Sequence, residues 1–160
     1  LLVHVALEPQ RNRTVPEQLD IALRSALPVG IAAASLAGLR TIGLGPVLVL
    51  MALVSAYEVG DFLVGTGSKN AVEGPLAGIV AVAVVGFVAR LVAPAPFTPT
   101  SVILFTALTA VCCPLGQILG AALLPRGSAW APALRRLDSY LLAAPLWLPL
   151  LASLHSTTTL

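Results

Sequence analysis

The stretch Pro75 to Ala93 reads PLAGIVAVAVVGFVARLVA and carries one charge, Arg90. A helix of that length spans about 28 Å at 1.5 Å per residue, close to the hydrocarbon thickness of a bilayer, about 30 Å. Outward from it, similar apolar stretches recur at Ile21–Leu39, from Ile42 to Tyr57 with continuation through Val64, at Ser101–Leu124 and at Leu137–Leu154. The spacing predicts an all-α polytopic transmembrane helix bundle of about five spans, with no soluble domain of its own.

Composition agrees. The chain has 160 residues, of which 58% are hydrophobic and 10% charged, and its mean hydropathy is +0.95. An average soluble domain carries about 25% charged residues. Water requires that polar shell, whereas lipid tails accept apolar side chains facing outward. The net charge of +2 gives no argument for a nucleic-acid partner.

The connections carry turn and helix-stop residues. Glu8–Leu19 is polar and contains Pro16, Gly65–Gly74 is rich in glycine and polar residues, Pro94, Pro96 and Pro99 punctuate the next link, and Pro125–Leu134 holds Arg126, Gly127 and Pro132. Leu1–Leu7 reads as the tail of a preceding apolar helix. The expected organisation is therefore the end of an earlier helix and a cytoplasmic linker over 1–20, the bundle over 21–155, and a tail over 156–160.

Basic residues set orientation. With the Gly65–Gly74 loop cytoplasmic, alternation places Arg11, Arg13, Arg24, Lys69, Arg126, Arg135 and Arg136 on that side, and only Arg40 and Arg90 opposite. The acidic residues Glu8, Glu17, Asp20, Glu58, Asp61, Glu73 and Asp138 fall on the same side. The 65–74 and 125–136 loops form the expected working surface, in what reads as a bacterial inner or plasma membrane.

Several constellations there could carry chemistry. Glu58 and Asp61 are three apart and share a face if the second helix continues, with Tyr57 on the same side. They are candidate metal ligands or interfacial residues in water. Lys69 and Glu73 open the third helix, where backbone N–H groups and a lysine can receive an anion, or where Glu73 simply favours the helix N-terminus. Arg135, Arg136, Asp138 and Ser139 open the fifth, with two arginines for lipid phosphate and Asp138 as a cap. Gln117 lies within the fourth helix and is expected to bond across helices. Gly74–Gly78 and Gly116–Gly120 are GxxxG pairs, which let backbones approach closely. Cys112 and Cys113, adjacent in an apolar run, read as small packing residues. His4 and His155 carry no assigned role.

In this order, the pieces resemble the membrane core of the phosphatidate cytidylyltransferase (CDP-diacylglycerol synthase) family. Ala56, Tyr57 and Gly60 fit its Asp-x-x-Ala-Tyr-x-x-Gly helix end, and Gly65 fits a later glycine. Lys69, Glu73, Gly74 and Gly78 fit its lysine–glutamate–glycine stretch. Leu115 fits its Gly-Asp-Leu stretch, and Leu134, Arg136, Asp138 and Ser139 fit Leu-Asp-Arg-x-Asp-Ser before the last helix. The resemblance covers about Val47 to Leu150. It implies a substrate pair of CTP and phosphatidate with Mg²⁺, phosphate contacts from Lys69, Arg135, Arg136, Ser139 and Tyr57, and catalytic candidates Glu73 and Asp138.

The sequence departs from the family where metal would be held. Leu53 and Pro114 replace motif aspartates, Gln117 replaces an acid, Arg135 replaces the first aspartate of the last motif, Ala71 replaces a threonine, and the loop 125–133 is shortened. The expectation is a relative without the family's catalysis, serving as a lipid-binding or structural subunit beside another membrane chain. The alternatives are an active CTP-dependent lipid enzyme whose metal ligands include Glu58 and Asp61, and a transporter. The last is the least supported, because Gln117 and a few hydroxyls are all the polarity available at mid-membrane depth.

Overall fold

The computed structural model describes residues 15–68, 70–123 and 137–158. Five helices account for most of them: α1 Val15–Ile42, α2 Leu44–Gly65, α3 Glu73–Val92, α4 Pro99–Leu123 and α5 Tyr140–Thr158. Four contain apolar spans long enough to cross a membrane, Ala22–Ile42, Leu44–Gly65, Glu73–Val92 and Pro99–Leu123. The protein is an integral membrane protein built as a transmembrane helix bundle.

α1 is already helical at Val15, ahead of the expected Ile21, and runs on to Ile42, so that the second helix begins at Leu44 rather than Ile42. α2 continues to Gly65, in line with the expected continuation through Val64, and keeps Tyr57, Glu58 and Asp61 on one continuous helix. The Leu1–Leu7 segment and the Pro125–Leu134 loop lie outside the described residues, as do Arg11, Arg13, Lys69, Arg126, Arg135 and Arg136.

The helices pack as a ring in chain order, with α5 closing against α1, and α2 also touching α4 across the ring. α3 explains why such a bundle forms in lipid. Its buried positions are Gly74, Gly78, Val82 and Gly86, one every fourth residue, while Val80, Val84, Phe87 and Leu91 are exposed. Large side chains thus face outward and small ones inward. That suits a solvent as apolar as leucine, in which close packing rather than apolar burial joins helices. A Cβ on Gly78 would stand 2.7 Å from the Tyr57 ring, and one on Gly86 would run into Thr106 of α4.

The core combines Leu50, Leu53, Val54 and Tyr57 of α2 with Val82, Phe105, Cys112, Cys113, Ala144 and Trp147. Both cysteines are free and buried, as expected of packing residues. At the end away from the carboxylates, Phe97, Phe105 and Trp147 stack edge-on or tilted, with ring centroids 4.6–6.0 Å apart. The Trp147 indole N–H donates to Thr109 Oγ1 at 3.0 Å, so its one polar group is satisfied in the core.

Gly78→Val should destabilise the bundle by about 1–3 kcal/mol, because the valine has to displace the Tyr57 ring. Thermal unfolding in detergent checks this. An unchanged midpoint would mean that α2 and α3 do not approach as closely as described.

Candidate site at the carboxylate end of the bundle

The sequence places four candidate acids near one end of the bundle, and the structure distributes them among three environments. α2 is the common element. Its last two turns carry Tyr57, Glu58 and Asp61 past α3, α4 and α5.

Asp61 and Tyr57 turn to α3 and α4. The Tyr57 hydroxyl donates to Gln117 Oε1 at 3.0 Å, and Gln117 Nε2 donates to Asp61 Oδ2 at 3.0 Å. One amide therefore bridges a phenol and a carboxylate and joins α4 to two positions of α2. The interhelical role expected of Gln117 is thus realised. The GxxxG pair of α3 holds the other side: a Cβ on Gly74 would strike Asp61 Oδ1, and one on Gly78 the Tyr57 ring. Tyr57, expected to touch a phosphate, is fully buried in this arrangement.

Glu58 turns instead to α5. Its carboxyl lies within electrostatic reach of Asp138 and beside the Ser139 side chain. Tyr140 stands next to Ser55 and Glu58. Glu58 and Asp61, three apart on α2, both lie within electrostatic reach of Asp138, while Asp61 bonds to Gln117 and Glu58 stands beside Ser139.

Asp138 and Ser139 reach this position through the second GxxxG pair. A Cβ on Gly116 would collide with the Asp138 carbonyl oxygen, and one on Gly120 would lie 2.9 Å from Asp138 Cβ. The chain entering α5 therefore rests directly on α4. Asp138 Oδ1 accepts the adjacent Ser139 N–H at 2.8 Å and Asp138 O accepts the Leu141 N–H at 3.0 Å, a backbone turn at the entry to α5; the side-chain cap expected of Asp138, a bond to an N–H two or three residues on, is not made. Ser139 is wholly buried, with its hydroxyl beside the Glu58 and Asp138 carboxyl groups as a hydrogen-bond partner.

This contact also sets the level of α5 in the bundle. Glu58 lies about two turns, or about 10 Å, before the end of α2 at Gly65, and the first turn of α5 begins beside it. With 19 residues, α5 is about 28 Å long, close to the 20 residues of α3.

Glu73 stands apart. It is exposed in the first turn of α3, where its Oε1 accepts the Asn70 side-chain amide at 2.8 Å. Lys69, Arg135 and Arg136 lie outside the described residues. Among those described, no group of three or more acidic, histidine or cysteine side chains could hold a metal ion. The ion pair present among them, Arg24 with Asp20 at 2.8 Å, is exposed on α1. No family model, no curated protein and no solved structure matches the chain.

Replacing Gln117 with leucine removes both bridges and leaves Asp61 without its amide. Each interhelical bond of this kind contributes about 0.6–1.7 kcal/mol in a membrane protein. Gln117→Leu should therefore cost about 1–3 kcal/mol, and Tyr57→Phe less. In a double-mutant cycle read by unfolding in detergent, the two changes should be non-additive. Strict additivity would show that the bridge contributes nothing.

Proposed function

We propose that this chain is a lipid-binding or structural subunit of a membrane assembly, built on a core resembling the phosphatidate cytidylyltransferases but without their catalysis. The observation that carries the reading is the Tyr57–Gln117–Asp61 bridge. A neutral amide stands where the family has an acid, and it occupies a nearby carboxylate as a packing partner. Phosphoryl and nucleotidyl transfer between two anionic substrates needs metal ions that neutralise the developing charge. The donor set at this end does not fit such ions: Pro114 offers no side-chain ligand, Gln117 is uncharged, and Glu73 faces outward against Asn70.

The lipid-binding part of the reading is supported by the end of the bundle that keeps Glu58 and Asp138 half-buried where α5 meets α2 and α4. The excess of Lys and Arg in the loops at that end favours a cytoplasmic orientation for the 65–74 and 125–136 loops. The membrane that best suits this charge pattern is a bacterial inner or plasma membrane. A second membrane protein chain is the expected companion.

The deciding experiment supplies the lipid-embedded protein with labelled CTP, phosphatidate and Mg²⁺ beside an active member of that family. The expected outcome is no CDP-lipid, together with a stable membrane partner on purification. Product at a comparable rate, abolished by Asp138→Asn or Glu73→Gln, would establish an active enzyme with altered ligands and overturn the proposal.

Sidedness has its own check. In otherwise native cells, Ser68→Cys should react with a membrane-permeant maleimide and resist an impermeant one added outside. Labelling by the impermeant reagent would reverse the assigned orientation.

A further inference from the structure

We draw no further inference here: the strongest candidate, the outward face of α1 along which Ala26, Gly30, Ala34 and Ala37 lie exposed, is a stripe of small residues, and nothing in the structure shows what covers it.

Discussion

The rest of the structure depends on backbone-to-side-chain contact at glycines that face neighbouring helices. Helices in a bilayer gain little from hiding apolar surface, since the surrounding lipid is equally apolar. They gain dispersion contacts when backbones come close, and a Cβ would prevent that approach. At Gly74 and Gly78 the missing side chains admit Asp61 and Tyr57 of α2. At Gly116 and Gly120 they admit the entry to α5. The two GxxxG pairs thus build the fold and also decide where the polar residues of one end come to lie.

This double role marks how far the sequence is legible. Apolar segment lengths announced a five-helix membrane bundle, and the isolated Gln117 announced an interhelical bond. The GxxxG pairs announced close packing. None of these signals names a partner. A glycine pair shows that something approaches closely, and only the folded arrangement shows that Asp61 and Asp138 do. The different partners of Asp61 and Glu58, Gln117 for one and Ser139 for the other, were hidden for the same reason. Three-residue spacing fixes about 60° between two side chains on a helix, and which neighbours fall within that angle is a property of the bundle.

The two ends of the bundle are stabilised differently. Away from the carboxylates, Phe97, Phe105 and Trp147 fill the space between the α3–α4 link, α4 and α5, and the single indole N–H is bonded to Thr109. That end is closed by ring packing. At the other end, hydrogen bonds between side chains on different helices replace rings, and the phenol, amide and carboxylate of Tyr57, Gln117 and Asp61 form a continuous run. In a low-dielectric setting such a run is strong when complete and costly when broken. Ser139, one helix away, lies outside it, with its hydroxyl beside the Glu58 and Asp138 carboxyl groups.

That contrast bears on mechanism. A transporter needs elements with two arrangements that expose a site alternately, usually a polar site near the midplane. Here the polar residues sit toward one end, and α2 is tied to α3 by glycine contacts and to α4 by two hydrogen bonds. Any rocking of α2 would break the bridge and open the glycine seat together. The bridge fixes Glu58 by fixing α2, the α4 glycines fix Asp138 by fixing the start of α5, and the Ser139 hydroxyl lies where those two constraints meet.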